Sequence, residues 1–146
     1  MFDNIADLID KIRLGEDSYL ELKEVRFAGQ KVSAPHKDSL ADELAAFANS
    51  RGGVCVLGVD DTREVLGIPL ERLDLVEDFV RQICLDSITP PLAPVIERLS
   101  LPSTSGESLP ALKIDIASSL FVHKSPGGYL HRVGSAKREM APDYLA

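Results

Sequence analysis

Seven cations draw attention by their placement. Arg26, Lys31 and Lys37 fall within residues 25–37 (VRFAGQKVSAPHK), and Lys124, Arg132, Lys137 and Arg138 fall within residues 123–138 (HKSPGGYLHRVGSAKR). Neither segment holds an acid, and the three histidines, His36, His123 and His131, lie in the same two segments. Their formal charges are +3 and +4 in a chain whose net charge is −7. Ammonium and guanidinium groups gathered this way can neutralise phosphates. The acidic balance of the whole chain argues the other way. Two solvated loops would give the same pattern, so charge alone leaves both readings open.

Other chemistries find little support in residue type and spacing. The histidines form no zinc spacing, and Cys55 and Cys84 lie in apolar runs, as buried thiols do. Two such cysteines suggest a reducing compartment and a cytoplasmic location. There is no GxxxxGK[ST] loop, and Ser50-Arg51-Gly52-Gly53-Val54 leads into an apolar strand-like run instead of a helix N-terminus that would cradle a phosphate. The N-terminus, Met1-Phe2-Asp3-Asn4, does not read as a signal peptide, and no apolar run approaches the roughly 20 residues of a membrane span. No membrane partner is expected.

The 146 residues fit a single domain, 1–146, with a core of its own. Ile5, Leu8, Ile9 and Ile12 predict an N-terminal helix capped by Asp3 or Asn4 and ended by Gly15, so that residues 1–15 form a separate first element. This amphipathic helix is expected in the core, with a homodimer contact as the alternative. Tyr19 to Glu24 alternates Leu20 and Leu22 inward against Glu21 and Lys23 outward, a half-buried strand. A basic loop punctuated by Gly29 and Pro35 leads to a helix from Ser39 to the glycine pair, with Glu43 near its first turn. Val54 to Leu57 reads as a strand buried on both faces, followed by a hairpin over DDTREVLGI. A second helix is expected from Leu70 to Leu85, with Leu73, Val76, Phe79, Val80 and Ile83 inward. Strands follow at Ala93–Leu101, Leu109–Ala117 and Tyr129–Val133, and Met140–Leu145 could begin a final helix. The fold class is α+β, two main helices packed on a mostly antiparallel mixed sheet.

The order LELKE, AFANSRGG, LGVDD, YLHRVGSAKREM resembles the AlbA-like domain of Schlafen proteins and bacterial regulators, a family also described as DNA-binding or as a divergent AAA-type ATP-binding domain. The resemblance runs from about Glu16 to Met140, so residues 16–140 form its core. AFANSRGG with GVDD is its specific part. The segment LFVHKSPGGYLHR departs from the family in lacking the proline-aromatic pair often seen before the last hairpin.

The resemblance implies nucleic-acid binding, to DNA or RNA, in bacterial members as the N-terminal part of a transcriptional regulator. It requires no cofactor. Recognition of backbone and shape would fall to the basic loop and the hairpin. Schlafen proteins with ribonuclease activity carry a metal-binding triad of two glutamates and an aspartate. The matching positions here are Glu16, Glu21 and Asp60, which under that alternative would hold Mg²⁺ or Mn²⁺ to activate water. A protein-interaction or nucleotide-binding regulatory module is the third alternative.

Overall fold

The computed structural model of the chain describes residues 4–141. In chain order the elements are α1 (Ile5–Leu14), β1 (Leu20–Lys23), β2 (Arg26–Ala28), β3 (Lys31–Ala34), α2 (Lys37–Ala48), β4 (Gly53–Leu57), α3 (Leu73–Asp86), β5 (Val95–Pro102), β6 (Ser108–Ile116), β7 (Leu130–Val133) and β8 (Ala136–Glu139). Four strands form the central sheet in the order β1-β4-β6-β5. Only β1 and β4 run parallel; the other two pairings are antiparallel. The expected α+β architecture with a mostly antiparallel mixed sheet is the one found.

The register assigns residues to the two faces of the sheet. Glu21, Cys55, Ile114 and Ile96 stand in one row across it. Cys55, Ile114 and Ile96 pack in the larger core with Leu40, Leu44 and Phe47 of α2 and Val76, Val80 and Ile83 of α3. Because side chains alternate along a strand, Leu20, Leu22, Val54 and Val56 point the other way. There they meet Leu8 and Ile12 of α1 in a second core. Leu8 and Ile12 of the N-terminal helix are thus buried within the chain, with Ile9 partly covered and Ile5 left exposed. Asn4 caps that helix, its side chain accepting from Asp7 N at 2.9 Å, and Gly15 ends it at φ 91°.

This geometry corrects the reading of β1 as half-buried. Its glutamate, Glu21, is on the α2 side and only 5% exposed, so both faces of the strand are covered. Helix α2 starts two residues before Ser39, because the His36 ring accepts from Asp38 N and supplies the cap. Glu43 therefore lies mid-helix and buried, away from the first turn. A short 3-10 turn, Leu70–Arg72, precedes α3 where a continuous helix was expected. The basic loop after β1 is an antiparallel hairpin, β2–β3, with Gly29 at its tip at φ 63°.

The tail helix expected over Met140–Leu145 extends outside the described residues. Among those residues, no helix is long and apolar enough to cross a membrane.

Candidate nucleic-acid interface and its buried charge network

The β7–β8 hairpin lies along α2, and its register explains the fate of its cations. His131 faces Arg138 and Arg132 faces Lys137. Cross-strand partners share a side of the ribbon, so Arg132 and Lys137 turn together toward α2 while the next pair turns away. Arg132 is buried. Its Nη1 donates to Glu43 Oε2 at 2.8 Å and lies 3.0 Å from Glu21 Oε2. Its Nη2 donates to the carbonyls of Asp17 (2.7 Å) and Leu20 (2.9 Å), and its Nε donates to Asp17 O at 3.0 Å. The guanidinium carbon sits 4.5 Å from the centre of the Phe47 ring. Lys137 Nζ completes the cluster 3.1 Å from Glu43 Oε1.

Arg132 was expected to reach a phosphate. Instead it joins the sheet edge, α2 and the last hairpin, with its donors already engaged inside the protein. Lys137 is partly exposed but committed to Glu43. Arg26 pairs with Glu24 at 3.0 Å. The other cations of the two basic segments, Lys31, Lys37, Lys124 and Arg138, are exposed and pair with no carboxylate among the described residues. Arg51 shares that condition. Sequence reasoning passed over it because it sits outside both basic segments. Its position in the turn between α2 and β4, next to two glycines, was the available signal.

The acidic residues are arranged differently from a metal triad. Glu16 Oε2 accepts from Leu22 N at 2.9 Å. The Glu21 carboxyl is pushed up to about 8, foremost by burial, then by its hydrogen bond to Glu16 and the charge of Glu43. These effects outweigh the nearby Lys23 charge, which acts in the opposite direction. Asp60 Oδ1 accepts from Thr62 N, Thr62 Oγ1 and Glu64 N at 2.7–2.9 Å, closing the turn after β4. Those bonds hold its carboxyl below the usual carboxylate range. The cleft of about 380 Å³ that receives Glu16 and Glu21 is lined by Asp61, with His36 and Ser39, and not by Asp60.

Among the described residues, no group of three His, Cys, Asp or Glu side chains is arranged to hold a metal ion. Glu21 instead meets the Arg132 guanidinium at 3.0 Å, Glu16 is engaged by Leu22 N, and Asp60 closes its own turn. Glu16, Glu21 and Asp60 therefore do not fit that ion in this chain.

Apart from the exposed Arg51, the residues of AFANSRGG prove to be packing and pinning groups. Asn49 Nδ2 donates to the carbonyls of His123 and Leu130, both at 2.8 Å, and its Oδ1 accepts from His123 N at 2.7 Å. Ser50 Oγ accepts from Arg132 N at 2.8 Å. Asp42, one turn before Ala46, accepts from Ser125 Oγ and Gly127 N at 2.7 and 2.8 Å. Gly52 adopts φ 81°, and a Cβ there would come 2.7 Å from Ile116 O. At Gly53 the demand is closeness alone, since a Cβ would stand 2.2 Å from the Phe47 ring. Helix α2 thereby anchors both the loop before β7 and the hairpin itself.

A mixed sheet with α1 on one face, α2 and α3 on the other, and a hairpin locked to α2 by buried charges defines the class of domain. The chain belongs to the Schlafen AlbA_2 family, whose pattern it matches over residues 16–141. That family is associated with nucleic-acid binding. Among solved structures, the chain is similar to the DIP2311 protein from Corynebacterium diphtheriae, with 22% sequence identity and a TM-score of 0.58. The match covers 87% of this chain and 27% of that one, so the chain spans about a quarter of the other protein's length. At this identity the likeness is one of fold.

Proposed function

We propose that this domain binds the backbone of DNA or RNA without cleaving it, as a module of a transcriptional regulator. The observation that carries the reading is the division among its cations. Arg132 and Lys137 face inward, whereas Lys31, Lys37, Arg51, Lys124 and Arg138 remain exposed and unpaired with carboxylates among the described residues. Uncompensated cations on a domain of net charge −7 favour a polyanionic ligand locally while the acidic remainder opposes indiscriminate adhesion. The family's association supports the same ligand.

The direct test is retention of labelled single-stranded RNA and duplex DNA by the purified domain, with Mn²⁺ or EDTA, at two salt concentrations. Salt-sensitive retention of intact nucleic acid is expected. Metal-dependent cleavage lost in Glu21→Ala would replace this reading with the nuclease. Absence of retention even at low salt would leave a protein-interaction module.

A further inference from the structure

Between β6 and β7 the chain presents Leu120, Phe121 and Val122 to solvent, at 100%, 69% and 40% exposure. Contiguous apolar side chains so open are a feature that calls for a function. Their flanks are pinned by hydrogen bonds. Before them, Ser118 Oγ donates to Ser50 O at 2.7 Å and Ser119 N donates to Ala48 O at 2.9 Å. After them, His123 is pinned through its backbone by Asn49, while its ring meets Pro90 O at 2.6 Å and Ser119 Oγ at 2.8 Å. Lys124 then exchanges both backbone hydrogen bonds with Thr89. The three apolar residues thus project from a base held to α2 and to the segment before β5.

What surrounds them has a definite chemistry. Lys124 follows the loop, exposed, with its ammonium 6.0 Å from the Tyr129 ring. Arg51, also exposed, directly follows Ser50, which receives the Ser118 bond. On the side of the loop's base lies a groove of about 200 Å³ lined by Pro91, Leu92, Ile116, Ser118, Ser119 and His123, an apolar floor with hydroxyl groups at its edge. Aromatic and apolar surface interleaved with unpaired cations suits a ligand that carries flat heterocycles on an anionic chain.

We propose that Leu120–Phe121–Val122 is a base-contacting wedge for single-stranded nucleic acid, with Phe121 stacking on an unpaired base and Lys124 and Arg51 engaging the flanking phosphates. The proposal rests on the nucleic-acid reading above. A wedge already held in place loses little freedom on binding, so the stacking contact is retained as affinity. It also gives the domain a preference for unpaired bases that phosphate contacts cannot supply.

The test is titration of the intact chain with a fluorescent single-stranded oligonucleotide carrying 2-aminopurine, compared with the same strand bearing an abasic site. For the wild type, quenching of the 2-aminopurine and weaker binding of the abasic strand are expected. Phe121→Ala should lose the quenching and about tenfold in affinity while its salt slope stays the same. Phe121→Tyr should restore both. Lys124→Ala should instead shallow the salt slope by about 0.7. Since Phe121 is exposed, its replacement leaves the fold intact, which circular dichroism would verify. Wild-type affinity and quenching in Phe121→Ala would overturn the wedge while leaving nucleic-acid binding in place. Failure of the wild type to bind either strand would overturn both.

Discussion

Arg132 Nη1 and Glu43 Oε2, 89 residues apart in the chain, are joined by a 2.8 Å hydrogen bond in a buried ion pair. That bond ties the last hairpin to the middle of α2, and Glu21 brings the sheet edge into the same cluster. The five polar contacts of this one guanidinium reach two separate parts of the chain, residues 17–21 and the middle of α2. The cost of desolvating these charges is offset only while all partners are present.

Replacing Arg132 is therefore a test of folding rather than of affinity. Arg132→Ala leaves the buried Glu43 carboxylate with Lys137 alone and strips Glu21 of its guanidinium partner, and should cost about 3–5 kcal/mol. Arg132→Lys keeps the charge but cannot reproduce the planar fork that reaches two carbonyls and two carboxylates, so it should be destabilising as well, though less. Chemical denaturation would measure both. A stable Arg132→Ala variant with weakened nucleic-acid binding would contradict this assignment and return Arg132 to the interface.

Glu21 makes stability depend on pH in a particular direction. Its carboxyl titrates at about 8 in the folded chain, against an ordinary value of 4.5. Between those values the folded protein holds a proton that the unfolded chain has released. Stability should consequently fall as pH rises from about 4.5 to about 8. Glu21→Gln removes this titration while keeping an acceptor for Arg132. Relative to wild type, the variant should gain roughly 1–3 kcal/mol between pH 5 and pH 8, less than the full shift implies because neighbouring carboxyls titrate with it. Parallel stability profiles would disprove the protonated carboxyl.

Gly53→Ala should be strongly destabilising, although Gly53 needs no unusual backbone angle. The added methyl would collide with the Phe47 ring, which is also the platform under Arg132. Overpacking of this kind costs about 1–3 kcal/mol or more. Combining it with Phe47→Leu should recover part of the loss, and strict additivity of the two changes in a denaturation cycle would speak against a direct clash.

Charge reversal at exposed positions should separate binding from folding. Lys124→Glu with Arg138→Glu should leave stability within about 0.5 kcal/mol of wild type. The same pair should weaken nucleic-acid binding and flatten the salt slope, which is expected at roughly −3 to −4 if about four cations meet phosphates. Unchanged binding at two salt concentrations would remove these two residues from the interface.

Much of the fold could be read from patterns of short range. The spacing of Leu8 and Ile12, the apolar run Val54–Leu57 and the stripe Leu73, Val76, Val80, Ile83 located the elements, because helix and strand periodicity depend on neighbours in sequence. AFANSRGG pointed to the family, yet gave no hint that Asn49 grips the loop around His123 or that Gly53 makes room for Phe47. Those contacts span roughly 70–80 residues or depend on how a ring lies.

The candidate site was legible only in part. Sequence alone established two acid-free segments and the residues that they contain. It could not say which cations are free, because Lys124 and Arg132 look alike in composition. Register made the difference: side chains alternate along the paired strands β7 and β8, so Arg132 turned inward to Glu43 and Glu21 while Arg138 stayed outside. Tertiary structure likewise gathered Glu16 and Glu21 with Asp61 and left Asp60 to its turn. Local periodicity determines where helices and strands form; the burial of a charge is decided when distant elements close over it and water is excluded.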